Sequence, residues 1–468
     1  MSSRPATLGQ LKESGWESVP VKEEVRRNAI RRIASGAPIV ERVLGYDDTV
    51  LPQLENALVA GHDIIFLGER GQAKTRIIRS LTGLLDEWIP IVAGSEILDD
   101  PYHPVSRYAR DVSAHDGDDT QISWVHRHDR FGEKLATPDT SIADLIGEVD
   151  PIKVAEGRYL ADELTLHYGL VPRTNRGIFA INELPDLAER IQVGLLNVLE
   201  ERDVQVRGYK IRLPLDVMLV ASANPEDYTN RGRIITPLKD RFGAQIRTHY
   251  PLDVETEMEV MRQESVLAEA DGLRVAVPDY MAEIVATLSQ LARQSPHINQ
   301  RSGVSVRLSV ANNETMVASA IRRALRLGET EAVPRISDLD SLAASTSGKV
   351  EIETIDEHRD GHVVERLIQQ SVLTVFKSTV PSEQLRAATA DFDGGEVIHT
   401  GDDIPSVQFV DGLAKFPALR ELVGAVPGAR GESPGAVASA TEFVLEGLHL
   451  AKRLNKDAAG ARATYRAR

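Results

Sequence analysis

The segment DIIFLGERGQAKTRIIRSLTGLL, residues 63–85, constrains this chain more than any other stretch of it. An apolar run of strand type enters the loop Gly68, Glu69, Arg70, Gly71, Gln72, Ala73, Lys74 and Thr75, and a helical stretch leaves it. Small residues in such a loop let successive backbone N–H groups turn inward on phosphate oxygens at the positive end of the following helix. In that reading the eight residues bind a nucleotide, with Lys74 on the β- and γ-phosphates of ATP and Thr75 on Mg²⁺. The pattern GxxxxGK[ST] is broken once, because Ala73 stands where glycine is usual, and alanine adds only one methyl group. A chance lysine after an ordinary βα turn is the alternative, and it fits the strand-before, helix-after context less well.

Apolar runs alternate with helical stretches from Val43 to Tyr250, which predicts a parallel sheet covered on both faces. The strand candidates are DIIFL (63–67), ISWV (122–125), IFAI (178–181), VMLVAS (217–222) and AQIRTHY (244–250). The polar passage from Gly94 to Gln121 reads as a surface loop without chemistry. Residues 1–40 read as an N-terminal helical extension in which KEEVRRNAIRRI ends near Ser35 and Gly36. After a core over 41–250, helical periodicity in DVETEMEVMRQE, PDYMAEIVATLSQLARQ and NNETMVASAIRRALRLG predicts a helical domain over 251–345. Residues 346–468 read as mainly helical, with HVVERLIQQSVLTVF and SATEFVLEGLHLAKRL as helices and a basic tail at the end.

Two further strands carry candidate chemistry at their C-terminal ends, where ligands bind in open α/β sheets. NRGIFAINELPDL gives a strand ending in Asn182 and Glu183, and a glutamate there can polarise the water that attacks a γ-phosphate. Taken alone, it is equally a capping or solvated carboxylate. VMLVAS runs into Asn224, which can hydrogen-bond both the γ-phosphate and that water, although asparagine before proline is also a common turn former. Arg241, in RGRIITPLKDRFG, and Arg307, in SGVSVRLS, are in isolation ordinary surface arginines. His126 and His128 flank Arg127 beside Asp129, and without further ligands they read as a polar surface turn rather than a metal site.

Composition removes several classes. There is no cysteine, so thiolate chemistry and disulfides are excluded. The formal charge of −16, from 54 basic and 70 acidic residues, has the wrong sign for a phosphate-backbone binder. Base-stacking aromatics interleaved with basic residues are also missing, which argues against nucleic acid as a partner. No run approaches the roughly 18 apolar residues of a membrane span, and the first residues lack the apolar core of a secretory signal. A cytoplasmic protein with no membrane association is therefore the expectation.

In order and spacing, GERGQAKT, NRGIFAINE, ASANPEDYTNRGRIITPLKDRFG and SGVSVRLS resemble AAA+ ATPases of the magnesium-chelatase I subunit and MoxR branch, over about Gly45 to Leu327. The resemblance implies a P-loop NTPase of α/β class: an AAA+ core with a parallel sheet flanked by helices, followed by an α-helical lid. It implies that Asn182 sits at the metal position, that Glu183 is catalytic and that Asn224 is the first sensor. Arg241 matches the finger that reaches a neighbour's ATP, and Arg307 the second sensor. The family's extra hairpin matches Val204, Val206, Ile211 and Leu213, which alternate with polar residues around a turn at Gly208. ATPDTSIADLIGEVDP (136–151) resembles the segment after the family's second strand. By the same resemblance the protein is a homo-oligomeric ring, a hexamer by family habit, that uses ATP to remodel a partner. Family members commonly work with a protein carrying a von Willebrand A-type domain. The signature Asp-x-Ser-x-Ser of that domain is not in this sequence, so the domain would come from another polypeptide. Asn182 departs from the usual aspartate, and losing that charge weakens Mg²⁺ binding, so hydrolysis is expected to be slow. An ATP-operated scaffold with little hydrolysis and the motor of a metal chelatase stand as alternatives, and a DNA-dependent motor is disfavoured by charge.

Overall fold

Strands buried on both faces are continuous apolar runs, and four of the expected runs build one sheet. The computed structural model describes residues 4–150, 163–201, 204–206, 209–211, 213–224, 233–300, 302–352, 360–429, 433–459 and 462–468. The chain divides into two compact units, Met1–His249 and Tyr250–Arg468.

In the first unit the strands are β1 (Ile64–Leu67), β2 (Trp88–Val92), β3 (Ile122–His126), β4 (Phe131–Leu135), β5 (Gly147–Val149), β6 (Leu166–Tyr168), β7 (Gly177–Asn182), β8 (Val204–Val206), β9 (Tyr209–Ile211), β10 (Val217–Ala223) and β11 (Ala244–Arg247). The central sheet has the order β11-β1-β10-β7-β4, and every pairing in it is parallel. Side chains alternate between faces with a period of two, and the alternation divides the unit into two cores. Ile64, Phe66, Ile178, Ala180, Met218 and Val220 pack with Val21, Leu54, Leu58, Ile77 and Ile78 on one face. Ile65, Leu67, Phe179, Ile181, Leu219 and Ala221 pack with Leu145, Val171, Ile191, Leu195 and Leu238 on the other.

The first face is covered by helices α2 (Val21–Ser35), α3 (Val50–Ala60) and α4 (Lys74–Ser80); a short α1 (Leu8–Glu13) precedes them. α2 places Glu23 and Glu24 in its first turn and Arg32 in its last, complementing the helix dipole, and it stops at Gly36 in the left-handed region. Its inner face presents Val21, Val25 and Ala29 to the core. Glu24, on the same side, accepts two hydrogen bonds from Arg130 at 2.8 and 2.6 Å. Both side chains are buried, at 3% and 1% exposure, so this segment is stapled to the sheet's base by a desolvated ion pair.

Two expectations change. ISWV does form a strand, but it pairs antiparallel with β2 outside the central sheet. Its outer residues are only partly buried, as suits a side ribbon. The fifth central strand is instead β4, FGEKL, whose polar residues are tolerated because it lies at the edge. The passage 94–121 is ordered around a buried Asp99, which accepts from Val105 N, Ser106 N, Ser95 Oγ and Ser106 Oγ at 2.6–2.8 Å and seats the helix Arg107–Asp116. The expected hairpin is present as antiparallel β8 and β9, with its turn residues Arg207 and Gly208 outside the described residues.

The second unit is built from helices Val254–Glu264, Asp279–Gln294, Arg307–Leu327, Asp360–Thr379, Pro417–Ala425 and Pro434–Leu450, with shorter ones between. β12 (Arg274–Val275) and β13 (Glu331–Ala332) form a small parallel pair. One hydrophobic cluster runs from Met261 through Phe376 and Phe443 to Tyr465, so residues on both sides of position 346 share a core. The basic tail is not a tail: β14 (Ile398–Gly401), β15 (Leu454–Ala459) and β16 (Arg462–Ala467) form an antiparallel sheet in the order β14-β16-β15.

Candidate nucleotide site

The register of the parallel sheet brings three strand ends to one edge. Leu67 lies opposite Ala223, and Ala221 opposite Ile181, so the residues that follow β1, β7 and β10 emerge side by side. Alternation then decides which face each serves. Asn182, Ser222 and Asn224 share the parity of Ala180 and Val220, the face covered by α4.

From β1 the chain enters the loop Gly68–Ala73 and turns into α4, which continues as the 3-10 turn Leu81–Leu84. Gly68 has no room for a side chain, since a Cβ there would lie 1.9 Å from Thr248 Oγ1 and 2.2 Å from Gln72 Oε1. Gly71 has φ +76° and Ala73 φ +55°, both in the left-handed region. The glycine usual at position 73 thus has a conformational reason, and alanine adopts the conformation at a cost. Gln72 locks the loop from inside: its Oε1 accepts from Glu69 N at 3.0 Å and from Thr248 Oγ1 at 2.7 Å. The Tyr46 hydroxyl lies 2.9 Å from the Gln72 carbonyl and 2.8 Å from the His249 carbonyl. Burial pushes that phenol up to about 12.

The Lys74 ammonium is buried within the loop. It donates to the carbonyls of Gly68 and Glu69, the latter at 2.8 Å, and to Asn224 Oδ1 at 2.8 Å. Asn224 Nδ2 in turn donates to Glu183 Oε2 at 2.8 Å. Lys74, Asn224 and Glu183, the residues expected to serve as phosphate cation, first sensor and base, are therefore one hydrogen-bonded chain. Glu183 sits at φ +56° at the turn after β7, a strained position for a side-chain-bearing residue and one that points to function. Asn182, the last residue of β7, donates from Nδ2 to Glu133 Oε1 at 2.6 Å and accepts at Oδ1 from Ser222 Oγ at 3.1 Å. Thr75 is exposed at the start of α4, Glu69 is half-buried and Arg70 is exposed.

The remaining expected residues lie elsewhere. Arg241 is exposed in the last turn of the helix Thr236–Arg241, whose Leu238 is anchored in the core. Arg307 is exposed at the first position of the helix Arg307–Leu327, in the second unit. Residues 225–232, which follow Asn224, are outside the described residues. The His126 and His128 rings lie 4.9 Å apart, tilted by 46°, beside a 3-10 turn, and no group of three or more metal-ligating side chains occurs among the described residues.

The sequence did not single out Glu133, Ser222 or Tyr46. Glu133 takes its place only through the pairing of β4 with β7, which no local signal announces. The donors present suit a nucleotide and its metal. The glycine loop turns through the left-handed region at Gly71 and Ala73, a buried ammonium, that of Lys74, sits on its carbonyls, and Thr75, Asn182 and Glu133 offer hard oxygens of the kind Mg²⁺ prefers. A Mg²⁺ held there would neutralise phosphate charge.

A parallel sheet with a phosphate loop after β1 and polar strand ends on β7 and β10 defines a P-loop nucleotide-binding protein of the AAA+ class. A family model described as Sigma-54 interaction domain matches residues 156–241. The magnesium-chelatase 38 kDa subunits of Rhodobacter capsulatus and Cereibacter sphaeroides are 29% and 30% identical over 234 and 222 residues, 47% and 45% of this chain. This chain spans 59% and 58% of the length of those relatives. Among solved structures, the complex of magnesium-chelatase subunits BchI and BchD aligns over 70% of this chain and 97% of that one, at 23% identity and a TM-score of 0.35. NtrX from Brucella abortus with ATP aligns over 82% of this chain and 69% of its own, at 15% identity and a TM-score of 0.36. Superpositions this loose place no site residue. The chain is an AAA+ ATPase family protein related to magnesium-chelatase subunit I. No helix among its described residues is long and apolar enough to cross a membrane.

Proposed function

We propose that this protein binds ATP with Mg²⁺ on the Gly68–Thr75 loop and hydrolyses it slowly. It assembles into a ring of its own copies, by family analogy a hexamer, and uses the cycle to remodel or activate a partner protein. The observation that carries this reading is the chain Lys74–Asn224–Glu183, with donor–acceptor distances of 2.8 Å, at one edge of the sheet. Lys74 turns its ammonium from the loop carbonyls to the phosphates. Asn224, held between Lys74 and Glu183, registers that movement and passes it to the carboxylate that orients and deprotonates the attacking water. Thr75 and Asn182 would hold the metal. Arg241 is assigned as the finger that completes a neighbour's site, and Arg307 as the second sensor.

The magnesium-chelatase relatives motivate a separate partner subunit, for which a protein with a von Willebrand A-type domain is the candidate, and a MoxR-like chaperone role is the alternative use of the same motor. Action in the cytoplasm belongs to the same proposal. Asn182 favours a second reading, a scaffold that binds ATP and assembles but hardly turns it over.

Complementation tests the shared site. Lys74→Ala is expected to lose its own turnover while still offering Arg241, and Arg241→Ala the reverse. Mixing the two inactive variants is expected to restore part of the wild-type ATPase rate. A mixture as inactive as its components, with assembly intact, would rule out Arg241 acting across subunits.

A further inference from the structure

At the metal position β7 ends in an amide, Asn182, rather than a carboxylate. Its orientation is fixed from both ends: Nδ2 donates to Glu133 at 2.6 Å, and Oδ1 accepts from Ser222 at 3.1 Å. Glu133 reaches it because β4 pairs in parallel with β7, with Glu133 opposite Ala180 and hence on the face that carries Asn182 and α4.

We propose that Glu133 supplies, from the neighbouring strand, the negative charge that Asn182 lacks, so that the Mg²⁺ of the nucleotide is held through Thr75 and the Glu133–Asn182 pair. This inference rests on the nucleotide reading above. Mg²⁺ gives up its water reluctantly and is satisfied by one or two carboxylates acting through its hydration shell. A carboxylate one hydrogen bond away from the strand end can therefore serve. The side chain is suited to it, since Glu133 is partly buried at 20% exposure, where charge is less screened than on the open surface.

Glu133 also pairs with Arg79 of α4, at 2.7 Å from Nε and 3.2 Å from a terminal nitrogen. The guanidinium is largely exposed, and exposed ion pairs are weakly held. Arg79 is accordingly a competitor that balances the carboxylate until the cation takes its place.

The test is ATP affinity of the full chain by calorimetry, in Mg²⁺ and in EDTA, for the wild type, Glu133→Gln, Asn182→Asp and the double variant. Glutamine keeps the shape and the acceptor for Asn182, so the fold should survive. Its Mg²⁺-dependent gain in affinity is expected to fall about ten- to a hundredfold, the usual effect of losing a partner of a metal ligand, while affinity in EDTA stays close to wild type. The double variant, which moves the carboxylate to the strand end, is expected to regain the Mg²⁺ response, and Arg79→Ala to increase it. A Glu133→Gln protein with the wild-type Mg²⁺ response overturns the inference alone. A double variant no better than Glu133→Gln also counts against it. A wild type that binds no ATP in either condition overturns the nucleotide reading and this inference together.

Discussion

At the scale of single residues, position 73 shows how a local departure from a motif has a defined physical size. Ala73 occupies the left-handed region at φ +55°, where a Cβ costs about 1–2 kcal/mol relative to glycine. Its methyl also rests against the core that contains Ile77 and Ile78. Ala73→Gly is expected to raise the thermal midpoint by a few degrees, or to leave it level where lost packing offsets the relief. A clear fall would mean that the loop does not hold this conformation. Tyr46 carries a different signature. Its hydroxyl serves two buried carbonyls, so Tyr46→Phe is expected to cost about 1–3 kcal/mol at neutral pH in denaturant titrations. Its folded pKa, about 12, lies above the ordinary 10.0, so the native state holds the proton longer than the unfolded chain. The stabilisation is complete below the unfolded value and is lost as pH rises through the folded one. The wild type should lose this contribution between those two values, and Tyr46→Phe should lack that slope. The loop residues, Glu183 and Asn224 were legible because each is written next to an apolar run that fixes its place. Tyr46, Glu133 and Ser222 were not, because tertiary pairing alone brings them to the site.

At the scale of elements, the sequence served best where burial is complete. β1, β7 and β10 are continuous apolar runs and form the middle of the sheet, whereas the edge strand β4 reads FGEKL and carries no such run. Edge strands tolerate polar residues, so a hydrophobicity argument passes over them. ISWV does carry an apolar run and forms a strand, but its antiparallel partner β2, outside the parallel sheet, is not written in the run itself. The short, polar and alanine-containing segments LNKDAA and RATYRA gave no strand signal either, and their antiparallel pairing makes them strands. The boundary of α2 at Gly36 was readable from its glycine and its charges. What holds α2 to the sheet was not, because Glu24 and Arg130 lie 106 positions apart. Removing one partner of a buried pair strands the other charge, so Glu24→Ala is expected to destabilise by about 3–5 kcal/mol. Replacing both partners with apolar residues of similar size should cost much less. A double-mutant cycle in urea checks this, and equal losses in the single and double variants would show that the pair's charge is not what matters.

At the scale of the whole molecule, one polypeptide carries two units with different logic. The first is a sheet whose strand ends converge on a phosphate loop. The second is a helical assembly around one apolar cluster, with buried ion pairs such as Arg293–Glu257 at 2.7 Å and Arg323–Asp338 at 2.9 Å. The attraction within such buried pairs is largely offset by the cost of desolvating both charges, so they add little net stability. The class of the first unit was legible because its signal is spread over ordered motifs along one chain. The second unit's core, which joins segments on both sides of position 346, was not, since helical periodicity says which face is buried but not against what.

The central claim is that this site binds and cleaves ATP, and turnover of the purified chain, followed together with its size in the presence and absence of ATP, tests it most directly. The wild type is expected to assemble with ATP and release phosphate slowly. Lys74→Ala should lose binding and turnover, and Glu183→Gln should keep binding and assembly while losing turnover by about two to four orders of magnitude. A wild type that neither binds nor cleaves ATP, or a Glu183→Gln variant that matches the wild-type rate, would contradict it.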